Sequence, residues 1–597
     1  MKRVNVFVRR QRIKKLEKWT MRAIIAECFF LALFPSLAAA AVLFGITAWL
    51  MRLRLDTKFK LRSLPFDLPA GLFALISAIS VFFSSARSFE LVYHYLAFVG
   101  VYALTYVLIG QNIRTREQVR RVVMALSISA LLVVLWGYFQ YIFGIDTVDM
   151  KWVDPEKFPE LKNRVFSTLE NPNVLAGYLD IFICLALGVL AKLNGTTQKF
   201  VIIIIIAMLA ACLSMTYSRG AYLSIVLVFI FYGMLQDWRI FLLFLLVSGG
   251  LFLYDASFLH RLTSIFELTD SSQGLRIGIW ISTLAMIADH PFIGIGWGAF
   301  KDVYPSYDYY LQGADVLIYH AHNIYLHYAA EIGIVGALTF FWCLFGTMTM
   351  SLELGSNERF QTLKDEAVER ISKVTGVDFK GRILALKSEI IENYHTENTK
   401  LHRIFIAKGI VAEKLSEASE RFMNWLSPES PDDEVVPTES GNTYVTAASY
   451  TTAASYTTAA TYTTAASYTT AATYTTTATY TTVETYTTIV AYITTEVDNT
   501  AKALTDDVKP TDKYKALVKE TLFNWKEVKD IDNQQIADGI KFGIGLAFLS
   551  IALNGLTDDL LFNIPTSMLM WILTALAAAI EVLPEEDEDT TRRRIRR

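Results

Sequence analysis

Long apolar runs separated by short polar connectors extend over most of the chain. Runs such as Phe200 to Thr216 and Ile240 to Leu253 approach the roughly 17–25 residues that an α-helix needs to cross a bilayer. Helices are the expected spanning element because lipid offers no partner to unpaired backbone groups. The pattern predicts an all-α polytopic membrane protein with about twelve transmembrane helices. They are expected at residues 22–34, 36–51, 66–84, 88–110, 122–144, 173–191, 200–217, 221–236, 240–254, 333–352, 539–556 and 565–582.

Basic residues set the expected topology. They cluster on both sides of the first two runs, from Lys2 to Lys18 and from Arg52 to Arg62, so both flanks are expected in the cytoplasm. The basic N-terminus leads into an apolar stretch too long for a signal sequence, and we expect it to remain as an anchor. Continuing the alternation places three features outside: a loop at 145–172, the turn Ser218 to Gly220, and a large extracytoplasmic loop at 255–332.

Composition refines this organisation. Of 597 residues, 53% are hydrophobic, and the formal net charge of -3 gives no indication of a nucleic-acid partner. The cysteines lie in apolar runs without CxxC spacing, which predicts small core residues rather than disulfides or a thiolate metal site: Cys28, Cys184, Cys212 and Cys343. The expected regions are an N-terminal membrane domain (1–353), a charged helical insert (354–430), a Thr/Ala/Tyr low-complexity hexapeptide repeat (431–497), a charged helical linker (498–538), a transmembrane pair (539–582) and a charged tail (583–597).

The insert carries two different patterns. From about Glu358 to Trp425, apolar residues recur at helical spacing, which predicts one or two amphipathic helices that pack on a core or a partner. In the repeat, nine tyrosines recur every sixth residue from Tyr444 to Tyr492, so an extended strand would place them on one face. The scarcity of large aliphatic residues is equally compatible with a disordered or extended spacer. We assign the repeat no function.

Candidate chemistry concentrates in the loop 255–332. This loop holds five of the eight histidines, and His320 and His322 are followed directly by Asn323. Titratable side chains gathered on one exposed loop of an apolar protein favour an enzyme. The His-x-His spacing also permits a zinc site, but no carboxylate has matching spacing, and we expect no metal or cofactor. His327 is expected to pack within the helix that follows.

Four groups of residues, in this order, resemble the O-antigen ligase and Wzy-type polymerase superfamily of membrane glycosyltransferases. The resemblance covers roughly residues 66–352 and the closing helices, and excludes the insert. The matching segments are Arg164 to Tyr178, Ser218 to Tyr222, Leu275 to Trp280 with Asp289 to Phe300, and His320 to His327 with Glu331 to Gly336; Leu556 to Asp559 accompany them.

The resemblance implies a reaction and a location. Such proteins take a glycan from an undecaprenyl diphosphate carrier and attach it to an acceptor hydroxyl of a glycan, lipid or protein, without a metal or a nucleotide sugar. The implied location is the bacterial cytoplasmic (inner) membrane, in a multi-pass protein embedded in membrane lipids, with the active site on the extracytoplasmic face. The implied role is in cell-surface polysaccharide assembly in the cell envelope.

Two arginines are the candidates that stabilise the departing diphosphate, because guanidinium groups suit fixed anion binding. Arg219 is expected where a span meets the outer surface, with snorkelling to lipid phosphates as the alternative. Arg276 is expected on a loop, where an ordinary solvated arginine is the alternative.

A histidine is the expected base for the acceptor hydroxyl. His322 is the first candidate because Asn323 has the character of an N-cap for a helix that begins at Ile324. His320 is the second, as an orienting partner or a substitute base. A structural loop histidine is the alternative for both.

Further candidates are substrate-binding residues: Arg164, Asn171, Asn173 and Asn323. Asn171 and Asn173 flank Pro172, so capping of the sixth span is the alternative there. The glycines Gly294, Gly296 and Gly298 predict a tight bend rather than a dinucleotide site, since no βαβ context exists.

Other functions stay open from the sequence. A polymerase of the same superfamily uses the same leaving group. A secondary transporter has similar ingredients, with Glu27 and Asp180 as the candidate intramembrane charges. In a third interpretation, the membrane domain anchors the insert as a scaffold or sensor.

Overall fold

The computed structural model describes residues 2–86, 88–144, 164–236, 239–242, 271–308, 318–354, 362 and 532–584. The insert with its repeat, the charged tail, most of the loop 145–172 and most of the predicted span 240–254 lie outside these residues, as do the expectations that fall on them. The described residues are helical, without a strand, as predicted. The main helices are α1 (Lys2–Phe30), α2 (Pro35–Leu55), α3 (Asp67–Phe83), α4 (Phe89–Asn112), α5 (Arg116–Phe143), α6 (Pro172–Lys192), α7 (Thr196–Ser214), α8 (Arg219–Leu235), α9 (Ser271–Asp289), α10 (Ile324–Leu352), α11 (Asn533–Asn554) and α12 (Ile564–Glu581).

Eight of these helices, within the described residues, are long and apolar enough to cross a membrane: α2, α4, α5, α6, α7, α10, α11 and α12. The helices α3 and α8 are apolar but shorter, at 17 residues each. The predicted first span falls in the second half of α1, whose first half is basic. Arg9 near the start of α1 donates through Nε to the carbonyl of Leu55 at 2.8 Å, so α1 and α2 form an antiparallel hairpin.

Three boundaries differ from the sequence prediction. The helix predicted at 333–352 begins at Ile324 and bends at Gly333, where φ is +71°. Glu331 is polar and marked the edge of the apolar run in the sequence, but its side chain is buried within the helix bundle. Part of the predicted loop, Ser271–Asp289, is helical, and α11 begins at Asn533 rather than at 539.

Close packing of α6 against α11 forms the centre of the bundle. A side chain at Gly543 would meet the backbone of Leu185 at 2.7 Å, and Gly188 faces the backbone of Gly539 and Gly543. Small residues of this kind let two membrane helices approach backbone to backbone. The packing fixes the N-terminus of α6 relative to the connector that follows α11, and both contribute to the candidate site. The four cysteines are free and buried, as expected.

The connectors predicted for the outer face share one end of the bundle. Val165 donates to the carbonyl of Met215 at 3.1 Å, and Ile324 donates to the carbonyl of Gly555 at 2.9 Å. At the other end, Lys541 pairs with Glu353 at 2.6 Å. These connectors therefore lie together at one end of the bundle, and the side of the membrane on which they lie stays a prediction.

Candidate active site

The N-terminus of α10 joins the histidine segment to the connector between α11 and α12. Asn323 is the N-cap, as predicted: its Oδ1 accepts from the backbone N–H groups of Tyr325 and Leu326, both at 3.0 Å. Its Nδ2 donates to the carbonyl of Leu556 at 3.0 Å. The cap therefore also positions His322 against a segment more than two hundred residues away along the chain.

His322 lies directly beside Asp558. Its Nδ1 is 3.0 Å from Asp558 Oδ1, and its side chain is 30% exposed, against 10% for Asp558. The backbone at His322 has φ of +49°, in the left-handed region that non-glycine residues rarely adopt. Strained backbone of this kind persists where the surrounding structure enforces it and is frequent at functional sites.

Asp558 is the centre of the hydrogen-bond network. Oδ1 also accepts from the Asp559 N–H at 2.9 Å, and Oδ2 accepts from Asn173 Nδ2 at 2.9 Å. Arg276 Nη2 lies 3.9 Å from Oδ2. Burial alone would raise the pKa of the Asp558 carboxyl, but the hydrogen bond and charge of His322, with the charge of Arg276, hold that pKa below its ordinary value. Asp558 is therefore an anion.

His320 lies behind His322 and is buried. Its Nδ1 accepts from the backbone N–H of His322 at 3.2 Å, and its ring stacks on Phe562 with 4.2 Å between centroids. Burial, together with the nearby His322, lowers the pKa of His320 well below its ordinary value. The imidazole is therefore neutral, with its proton on Nε2.

The arginines occupy different places around Asp558. Arg276 lies in α9, so the expectation that it lies on a loop is wrong; the segment is too polar for a span but still forms a helix. Arg219 is the first residue of α8, where the adjacent Gly220 packs against Thr557. Arg164 donates to Thr216 O and to Asn173 Oδ1, both at 2.7 Å.

The predicted asparagines have partners within the protein. Asn171 caps α6, with Pro172 at the first helical position, and accepts from the Asn173 N–H at 2.8 Å. Asn173 connects Arg164 to Asp558. The structure therefore brings His322, His320, Arg276 and Asn173 together around Asp558, whereas Asn171 and Asn323 hold the helix ends that carry the site.

A second histidine and aspartate lie deeper in the same two segments. His327 is buried in α10, as predicted, with Nε2 at 3.6 Å from Asp559 Oδ2 and 3.7 Å from Glu331 Oε2. Burial first, and then the negative charge of Asp558, raises the pKa of Asp559 to about 7. We call His322 with Asp558 the outer pair, and His327 with Asp559 the inner pair.

Three side chains of the site lie close enough to hold a metal ion. His320, His322 and Asp558 each offer a ligand atom, and these atoms lie within 4.8 Å of one another. The carboxylate that the His-x-His spacing lacked therefore comes from a distant segment. In this structure His322 Nδ1 is hydrogen-bonded to Asp558 Oδ1, and His320 Nδ1 accepts from the backbone N–H of His322.

Sequence reasoning missed Asp558 and Asp559 as functional residues. The partners His322 and Asp558 are separated by 236 positions, and no local spacing reports such a pairing. One signal was present: the two acids are adjacent, in a short connector between two apolar helices that is predicted to share the face of the histidine loop.

The fold and the site define a multi-pass membrane protein with a histidine, aspartate and arginine cluster at one end of its helix bundle. The family model described as O-Antigen ligase matches residues 203–341, which supports membership of the O-antigen ligase and Wzy superfamily and confirms the resemblance. The matched range includes Arg219, Arg276, His320 and His322 but not Asp558. The family suggests a glycosyl-transferring enzyme. A search of curated proteins gave no significant match.

Proposed function

We propose that the protein transfers a glycan from an undecaprenyl diphosphate carrier to an acceptor hydroxyl at the outer face of the bacterial cytoplasmic membrane. The observation that carries the proposal is the outer pair, a partly exposed histidine hydrogen-bonded to a carboxylate, beside Arg276. The family match supports glycan chemistry in general.

The outer pair has the geometry of a general base. The Asp558 carboxylate accepts a hydrogen bond from the Nδ1–H group of His322. This bond holds the proton on Nδ1 and leaves the lone pair of Nε2 for the acceptor hydroxyl. The acceptor oxygen forms a bond to the anomeric carbon while the bond from that carbon to the diphosphate oxygen breaks. The proton passes to His322 Nε2, and the electron pair leaves with the diphosphate.

Arginines balance the charge that develops on the diphosphate. Within the described residues, Arg276 has one long contact to Asp558, at 3.9 Å, which suits a guanidinium that turns its other donors to a substrate. Arg219, at the first turn of α8 next to Gly220, which packs against the Thr557 side chain, is the second candidate. Fixed donors aimed at developing charge stabilise a transition state without reorganisation, which requires no metal.

His320 is better suited to positioning than to proton transfer. Its Nδ1 lone pair accepts from the His322 N–H, and its Nε2 carries the proton. No lone pair is then left for an acceptor hydroxyl. We infer that His320 stabilises the left-handed backbone conformation of His322 and packs against its ring.

A polymerase differs from a ligase only in the acceptor, which is another glycan of the same kind. Transport is less well supported, because the candidate charges have partners in the bundle. Glu27 accepts from Thr105 at 2.7 Å, and Asp180 accepts from Ser224 at 2.7 Å. Both bonds tie neighbouring helices together.

The test is transfer by the purified full chain in lipid nanodiscs. The protein is incubated with undecaprenyl diphosphate-linked oligosaccharide and candidate acceptors, with and without chelator, beside His322→Ala. We expect chelator-resistant release of carrier and formation of product, both lost in His322→Ala. Product length separates polymerase from ligase. Full activity in His322→Ala would contradict the base assignment, and loss of activity on chelation would contradict the metal-free mechanism.

A further inference from the structure

A cavity of about 250 Å³ lies beside the active site, lined in part by His327 of the inner pair and by Phe562. The ring of His320 lies between that of His322, at 4.1 Å, and that of Phe562, at 4.2 Å. Phe562 lines the cavity, so one aromatic layer separates the cavity from the base. Among its other lining residues are Glu90, Trp297, Lys301 and Tyr319.

Two buried polar nitrogens from this lining lack a hydrogen-bond partner within the described part of the chain. They are Nε1 of Trp297 and Nδ1 of His327, and both residues are 8% exposed. An unpaired buried donor or acceptor is costly, and buried tryptophan N–H groups usually find a partner. A molecule that both donates and accepts hydrogen bonds would satisfy both nitrogens.

Charge distinguishes this cavity from the arginine-lined region. Among the described lining residues, Lys301 is the only arginine or lysine, and it pairs with Glu90 at the exposed rim. Glu331 adds a further acid to the lining. The described part of the lining therefore offers a diphosphate no unpaired cation, whereas Arg276 lies beside Asp558. Aromatic faces with a few polar groups suit a neutral, hydroxyl-rich ring.

Size and position narrow the ligand further. The volume is below the roughly 300–1,000 Å³ of pockets for drug-sized ligands, so it accommodates one sugar ring rather than a chain. In a direct displacement, nucleophile and leaving group lie on opposite faces of the anomeric carbon. The donor diphosphate is expected beside Arg276, which leaves the cation-poor cavity to a sugar ring of the acceptor.

We propose that this cavity binds one pyranose ring of the glycan acceptor, adjacent in the glycan to the ring whose hydroxyl reaches His322. The inference rests on the proposed function and adds an acceptor subsite to it. Trp297 and His327 hydrogen-bond the sugar hydroxyls, and Tyr319 on the rim contributes an aromatic face.

The test separates binding from transfer. Saturation-transfer NMR on the full chain in nanodiscs, without donor, uses methyl glucoside, methyl galactoside and methyl N-acetylglucosaminide as probes. The key variant is Trp297→Phe, which keeps an aromatic ring and removes the N–H group. Its matched control is Trp49→Phe in α2, because Trp49 is also buried with an unpartnered Nε1 within the described residues. Tyr319→Ala, on the exposed rim, is a second variant that leaves the core intact.

We expect at least one probe to bind the wild type. Trp297→Phe should weaken that binding about threefold to tenfold, the effect of one hydrogen bond. In the transfer assay the same variant should raise KM for the acceptor by a similar factor with KM for the donor unchanged. Trp49→Phe should match the wild type in both assays.

Two results would overturn the inference. One is the absence of saturation transfer to every probe with the wild type. The other is unchanged probe binding in both Trp297→Phe and Tyr319→Ala, which would mean that the cavity holds water only. Because the binding assay contains no donor, a folded protein that binds the probes but transfers nothing would contradict the proposed function and not the sugar site.

Discussion

The outer and inner pairs use the same residue types on the same two segments, yet their environments are opposite. In the outer pair the nitrogen and oxygen are 3.0 Å apart, Arg276 is adjacent and the histidine is partly exposed. In the inner pair the atoms are 3.6 Å apart, the histidine is 10% exposed and the acid is fully covered. The pKa is lowered for Asp558 and raised to about 7 for Asp559.

This difference shows that the surroundings, and not residue type, assign the roles. A carboxylate that stays ionised can orient a base, whereas one that retains a proton near neutrality acts as a hydrogen-bond donor in the core. The two histidines are five positions apart and the two acids are adjacent, so a short distance into the bundle reverses the protonation of the carboxyl.

The largest expected effect comes from removing the charge of the outer acid. Asp558→Asn should lower the transfer rate by roughly 10²–10⁴-fold, the contribution of general acid–base catalysis, because His322 loses the carboxylate that fixes its Nδ1 proton. Asp559→Asn should cost less than about tenfold, since an amide replaces a carboxyl whose raised pKa lets it keep its proton near neutrality. Equal losses in the two variants, measured as carrier release, would remove the distinction between the pairs.

The next effect concerns the cation that only the outer pair has nearby. Arg276→Gln should reduce transfer by roughly 10²–10³-fold, the usual cost of removing one donor to a developing anion. Arg121→Gln is the matched control for the loss of an arginine charge, because Arg121 pairs with Glu117 near the start of α5, away from the site, and its loss should leave transfer unchanged. The loss in Arg276→Gln should appear mainly in kcat. A change confined to the KM of the acceptor would contradict the role of Arg276.

The raised pKa of Asp559 in the inner pair predicts that the stability of the protein depends on pH. The pKa of Asp559 rises from 3.8 in the unfolded chain to about 7 in the fold, so the folded state holds the proton more tightly. The tighter proton binding by Asp559 adds at most about 4 kcal/mol to the free energy of unfolding. This stabilisation is fully present below pH 3.8 and is lost as the pH rises through 7. The melting temperature of the wild type relative to Asp559→Asn should therefore fall between pH 4 and pH 8. The lowered pKa of Asp558 affects the stability of both proteins in the same way, so the difference in melting temperature between them reports Asp559 alone. A difference that does not change with pH would refute the raised pKa of Asp559.

The smallest expected effect comes from the cap between the two pairs. Asn323→Ala should destabilise the protein by about 1 kcal/mol, the usual loss for an N-cap, and should also lower transfer, since Asn323 holds the helix end that carries His322. Thr115→Ala removes the cap of α5 at the other end of the bundle. It should cost similar stability with transfer unchanged. Equal transfer rates in the two variants would show that the Asn323 cap does not position the active site.

Local features of the sequence predicted much of the scaffold. The apolar runs gave the helices, and polar residues beside proline or before an apolar run gave the caps at Asn171 and Asn323. Chain-local patterns report these features because each depends on residues a few positions apart. The packing of His327 followed from helical spacing in the same way.

Long-range pairing was beyond such patterns. In a membrane helix both the lipid-facing and the core-facing sides are apolar, so hydropathy does not tell which helices touch. The approach of α11 to α6, and with it the position of Asp558, depends on glycines whose contacts appear only in the fold. Helix α9 was not predicted because its polar first turn resembles a loop. The start of α10 was predicted too late because the sequence does not distinguish a buried glutamate such as Glu331 from one on the surface.

The most direct test of the central claim is a double-mutant cycle on the outer pair. Single-turnover transfer is measured for wild type, His322→Ala, Asp558→Ala and the double variant, all as folded protein in nanodiscs. If Asp558 acts through His322, the double variant should be no slower than His322→Ala, because residues that act as a unit are strongly non-additive. Losses that multiply in the double variant would show that the two residues act independently and would contradict the account.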